Sequence, residues 1–74
     1  PTISFTYLGL SPGHASEVLV EFVMEAGAEI QVERFSSKID AREDEVIQSA
    51  LVKMIERSGA QTVVQVDGVV ALPG

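Results

Sequence analysis

Few residues in this chain can do chemistry. His14 is the only histidine, and there is no cysteine. An imidazole titrates near neutrality and can carry a proton or a phosphoryl group. His14 follows Ser11-Pro12-Gly13, and Ser-Pro reads as a helix start, with Ser as cap and Pro at the first helical position. On that expectation His14 lies in the first turn of a helix, where free backbone N–H groups bind anions. It is the candidate phosphorylation site. Ser11 and Ser16 flank it, but no acid is placed to orient the imidazole, so no nucleophilic triad can be completed. Pro1 offers a secondary amine, a base when its pKa is depressed. Glu43, Asp44 and Glu45 are consecutive and point in different directions, which suits a helix N-terminus better than a metal cluster. Gly9 and Gly13 are too few for a phosphate-cradling loop, and the lack of cysteine removes disulfides and thiolate metal sites. No metal and no cofactor is expected, and the chain reads as non-enzymatic.

The clearest positioning element is the stretch from Asp40 to Gly59. Asp40 as N-cap and Glu43 three residues on form a capping-box pattern. Lys53 and Arg57 sit near the negative end of the helix dipole, and Gly59 can turn left-handed and stop the helix. Val46, Ile47, Ala50, Leu51, Met54 and Ile55 recur at helical steps. A first helix is expected from Ser11 to about Ala26, with Gly27 as its stop. Its core stripe would be Val18, Leu19, Phe22, Val23 and Ala26. Val20 and Met24 would lie off that stripe, beside a ridge of Glu17, Glu21 and Glu25. A surface helix normally shows more polar face than this, so these five residues are the candidate interaction surface.

Strands are expected at Thr2 to Leu8, where Ile3, Phe5 and Tyr7 alternate with Thr and Ser, and at Glu29 to Phe35, where Ile30 and Val32 alternate with Gln31 and Glu33. Ser36 to Lys38 is a loop or the tip of a hairpin. Thr62 to Val66 is a strand, Asp67-Gly68 a hairpin turn, and Val69 to Leu72 a last strand ended by Pro73. Clean alternation in the first two strands implies one polar sheet face, showing Thr2, Ser4, Thr6, Gln31, Glu33 and Gln65. The least polar strand, TVVQV, is expected at the centre. The fold class is α/β of the α+β kind: one domain over residues 1–74, a two-layer open-faced sandwich of order β-α-β-α-β-β, with both helices on one sheet face.

Seventy-four residues bury only ~60% of the surface their unfolded chain exposes, so packing or self-association must supply stability. The net charge is −6, which argues against a nucleic-acid partner and against anionic membrane surfaces. No apolar run approaches the ~20 residues of a membrane span. We expect a soluble, cytoplasmic protein. Residues 1–33 hold no Lys or Arg but hold Glu17, Glu21, Glu25, Glu29 and Glu33. This acidic half can be a solubilising face or meet a basic partner.

Three local resemblances follow from these residues. PTISFTY followed by a helix is similar to the start of the small tautomerase family, which implies Pro1 as a base. Gly13-His14-Ala15-Ser16, with EIQVERFSSKIDAR and TVVQVDG further on, resembles the histidine phosphocarrier protein of the sugar phosphotransferase system, which implies a phosphoryl group on His14. The Arg-Pro that follows the histidine in that family is replaced here by Ser16-Glu17. MIERSGAQTVVQV, residues 54–66, is similar to a glutaredoxin segment and implies a thioredoxin-like fold as the alternative architecture. That family's Cys-Pro-x-Cys would fall near Ser11-Pro12-Gly13-His14, so thiol chemistry is impossible. Together these observations lead us to expect a small non-enzymatic domain acting through protein–protein contacts, by self-association or with a protein partner. The alternatives are a phosphocarrier-like role for His14, a cysteine-less thioredoxin-fold protein, or a scaffold with a fold and no biochemical function. The last is also what an artificial chain would show.

Overall fold

The computed structural model describes residues 1–72. Their order is β1 (Thr2–Gly9), β2 (Glu17–Val23), β3 (Gln31–Ser36), α1 (Glu45–Ser58) and β4 (Thr62–Ala71). The protein is therefore a small mixed α+β domain with one four-stranded sheet, ordered β3-β2-β1-β4, and one helix. β1 and β2 are antiparallel, as are β2 and β3, while β4 runs parallel to β1.

The first expected helix does not form. Ser11 to His14 is a tight turn, with the His14 N–H donating to Ser11 O at 3.3 Å. The following EVLVEFV is a strand. Val18, Val20 and Phe22 pair with Tyr7, Phe5 and Ile3, so period-two burial against β1 outweighs the weaker three-to-four spacing. β-branched and aromatic residues fit that pleated surface better than a helix. With one helix, on one sheet face, the β-α-β-α-β-β order is replaced by β-β-β-α-β. A thioredoxin-like arrangement would need a second helical layer, and the described residues contain none.

Ile3, Phe5 and Tyr7 of β1 and Val18 and Val20 of β2 form the core with Ala15, Ala41, Ile47 and Leu51. Gln48 locks α1 onto this face. Its Nε2 donates to Tyr7 OH and to Ala41 O, both at 2.9 Å. The Ala41 N–H donates to Ala15 O at 2.7 Å, and the Ser37 N–H to Ser16 O at 2.8 Å, so the segment ahead of the helix is laced to the start of β2.

The helix starts four residues later than the capping-box pattern predicts. Asp44 is the N-cap and accepts from the Val46 and Ile47 N–H groups. Asp40 closes its own turn by accepting from the Arg42 N–H at 2.9 Å. Gly59 ends the helix in the left-handed region, at φ 65°, as its position predicts.

Two strand expectations change. TVVQV lies at a sheet edge, not at the centre. β1 already pairs with β2 on its other side, and the crossover through α1 delivers β4 to the free side. Asp67-Gly68 does not reverse the chain. It forms a bulge inside β4, where Phe5 pairs with Gln65 but Tyr7 with Val69, and Gly68 supplies the positive φ of 72°. Pro73, expected to end the last strand, lies outside the described residues.

Candidate interaction surface

The register decides which side chains share a face. Glu33 and Gln31 of β3 pair with Val20 and Phe22, so they lie on the helix side and not on the open face. Val32 and Arg34 take the open face instead, with Leu19 and Glu21 of β2. Ile30 and Val32, expected on the core side, are exposed: Ile30 precedes β3, and the register turns Val32 to the open face. The gap between α1 and β3 is a groove of about 730 Å³, lined by Val20, Phe22, Gln31, Glu33, Met54 and Arg57 among others.

The five residues proposed as one interaction flank are dispersed. Val20 is 2% exposed and belongs to the core. Met24 and Glu25 are exposed beyond the end of β2, where Gly27 at φ 85° and a hydrogen bond from the Ala28 N–H to Glu25 O close a type II turn. Glu17 and Glu21 project from β2 onto the open sheet face, where Glu17 meets Arg34 at 3.6 Å. No common surface joins Val20, Met24 and the three glutamates. His14 sits exposed in the β1–β2 turn and not in the first turn of a helix.

The candidate surface is a different one. β4 is a ten-residue strand with Val63, Val64, Val66 and Val70 all exposed, at 51, 42, 41 and 40%. Asp67 is its only charge. Nothing among the described residues pairs with its outer side. Along that side, alternate residues direct both the N–H and the C=O outward. Val63 and Gln65 point to the helix face, since their partners Ile3 and Phe5 are core residues, while Thr62 and Val64 share the open face with Thr2 and Ser4. An exposed, long, apolar edge strand is a template for another strand. The signal was present in TVVQV, an uncharged β-branched run of the kind that pairs readily.

Two carboxylates stand in the segment between β3 and α1. The Arg42 guanidinium holds the Asp40 carboxyl well below the usual carboxylate range, helped by backbone N–H groups of Arg42 and Ala15. Asp44 is also lowered, first by the Ser37 hydroxyl, which donates to it at 2.8 Å, and then by the Ile47 N–H. Both side-chain contacts, Asp40 with Arg42 and Asp44 with Ser37, tie the β3–α1 segment to itself, a structural role. Among the described residues no group of three His, Cys, Asp or Glu side chains is placed to hold a metal ion, and no helix is long and apolar enough to cross a membrane.

No protein-family model, curated protein or solved structure matches this chain.

Proposed function

We propose that this protein is a non-enzymatic domain that acts through protein–protein contact, and that the β4 edge is the contact element. The observation that carries this is the exposure of four valines along a ten-residue edge with a single charge. Main-chain groups on such an edge supply affinity for an added strand, and the alternating side chains supply specificity. A photo-reactive side chain placed at Val66 in the cell should form protein adducts. The same group at Val32, on the other sheet edge, should form far fewer. Equal adduct levels at the two positions would remove the proposal.

A second reading keeps the exposed imidazole of His14 as a phosphoryl acceptor, as in a phosphocarrier. The exposure of the ring in the β1–β2 turn supports access by a donor enzyme. Incubation with a phosphohistidine donor enzyme followed by intact-mass measurement tests it. No added phosphoryl mass, or mass that persists in His14→Ala, would discard it.

A further inference from the structure

We infer that the occupant of the β4 edge is a second copy of this chain, added antiparallel about a two-fold axis through Val64, so that two four-stranded sheets become one of eight. This rests on the β4 edge being a contact element and adds the identity and register of what it contacts.

The backbone sets the first condition. A row of outward N–H and C=O groups is matched along its length only by another strand. Symmetry sets the second. Two identical strands related by a two-fold axis and paired antiparallel must have one residue facing itself, with both copies turning the same sheet face the same way. The bulge then limits where that residue can lie. Between the Phe5–Gln65 and Tyr7–Val69 pairs, β4 carries two extra residues, so the stretch ahead of Asp67 that can form a regular ladder is Thr62–Val66. Val64 is its midpoint.

Centred there, Thr62 faces Val66 of the other copy, Val63 faces Gln65, and Val64 faces Val64. β-branched cross-strand pairs stabilise a ladder, and no charge opposes a like charge in this one. A centre on Asp67 would set two carboxylates face to face, and a centre on Val66 would place the Gly68 bulge inside the ladder.

Charge separates a second copy from a basic partner segment. The chain carries −6 overall, but Thr62–Val66 carries no charge at all, so within that stretch no side chain draws a basic strand and none opposes a like charge on a second copy. The protein exposes 4981 Å², whereas a compact monomer of 7.9 kDa is expected to expose about 4,400 Å², an excess that reflects a flat molecule of 33 × 25 × 17 Å with a long open edge.

Pairing covers Thr62–Val66 of both copies. What stays open is the strand beyond each Gly68 bulge and two β3 edges, each six residues long and carrying Glu33 and Arg34. A bulge and a short, charged strand both resist further addition, which favours a closed pair.

The absence of cysteine permits a clean test. Facing residues in an antiparallel pair have Cα atoms about 4.5–5.5 Å apart, inside the range a disulfide spans. Under oxidised glutathione, Val64→Cys should give a covalent dimer, and Val32→Cys, more exposed on β3, should stay monomeric. Light scattering of the unmodified chain should give twice the 7.9 kDa chain mass, and Val64→Lys, with two like charges on the axis, should halve it. A monomeric wild-type chain at every concentration, or cross-linking of Val64→Cys no faster than of Val32→Cys, would overturn the inference. A dimer that survives Val64→Lys and does not cross-link through Val64→Cys also overturns it, while leaving protein contact through another surface intact. Adducts from Val66 to other proteins alone would likewise keep the interaction role and remove the second copy.

Discussion

One edge of the sheet, β3, presents six residues, and Glu33 and Arg34 lie in the middle of it. The other, β4, presents ten, with four exposed valines and the single charge of Asp67. Both strands belong to the same sheet and flank the same β1–β2 pair, so the difference is not one of general exposure. β3 is short and charged, features that discourage strand addition, whereas β4 is long and apolar and is interrupted by the Asp67-Gly68 bulge. On the proposed reading, association is directed to the β4 side of the sheet.

The largest effect should come from what both edges share. Phe5 lies in β1, pairs with Val20 of β2 and Gln65 of β4, and is buried. Phe5→Ala should cost about 4 kcal/mol through lost burial and the cavity left behind. A domain of this length holds roughly 4–11 kcal/mol in all. Thermal unfolding followed by circular dichroism should show a single, much lowered transition in which β3 and β4 are lost together. Selective loss of one edge would show that the two are not mounted on a common core.

Gly9→Ala should separate the edges. A Cβ at Gly9 would clash with the backbone oxygen of His14, a contact that no side-chain movement relieves. Gly9 also pairs with Ala71 at the end of β4, and its carbonyl accepts from the Leu72 N–H at 2.9 Å. The overpacking should cost about 2–3 kcal/mol. Amide hydrogen exchange should rise in the β1–β2 turn and the end of β4, and hardly at all in β3. Uniform deprotection would contradict this.

The same contrast explains what was legible in the sequence. β1 could be read from alternation alone, because its inward residues Ile3, Phe5 and Tyr7 are all buried. The body of α1 and its Gly59 stop were also legible, since a stop depends on local backbone geometry. The helix start was misplaced because two aspartates four residues apart can both cap. Asp40 is engaged by Arg42, and that pairing is set by the fold of the turn. EVLVEFV fitted both periods: its glutamates recur every four residues, while its valines alternate. Only the partner strand decides between them, and Pro12-Gly13 ahead of it was the turn signal pointing to a strand. The edge position of TVVQV was not legible, because strand order depends on where the crossover lands and not on composition. The surface expected at Val20 and Met24 follows from reading EVLVEFV as a helix; as a strand it buries Val20 in the core.

The bulge allows a smaller and more specific test. Gly68 sits at φ 72°, and Gly68→Ala should cost about 1–2 kcal/mol through left-handed strain. Deleting Asp67 and Gly68 together should change association more than folding. It would let β4 pair with β1 without interruption and leave a flat apolar edge with no charge. Light scattering should then show assemblies beyond a dimer, because a longer regular edge admits more than one register. If the deletion variant kept a single defined mass, the bulge would not be what limits pairing at β4.

The smallest effect at neutral pH, and the sharpest spatially, concerns the carboxylates on the β3 side. Asp40 and Asp44 are both lowered in the folded protein, by the Arg42 guanidinium and the Ser37 hydroxyl respectively. A depressed folded-state pKa means that their contribution is fully present above the unfolded carboxylate value of about 3.9. It is lost as pH falls through the folded values, a loss that begins near pH 5 and continues downward. Asp40→Asn should therefore flatten the acid arm of the stability profile. The change should also be local. Ser37 and Ala41 donate their amides to Ser16 O and Ala15 O from the same segment that holds the two aspartates. β4 takes no part in either carboxylate contact. On acidification, hydrogen exchange should rise at Ser37 and Ala41 before it rises at the inward amides of β4. If β4 opened first, polar stabilisation would not be concentrated on the β3 side of the sheet, and the contrast between the two edges would rest on apolar exposure alone.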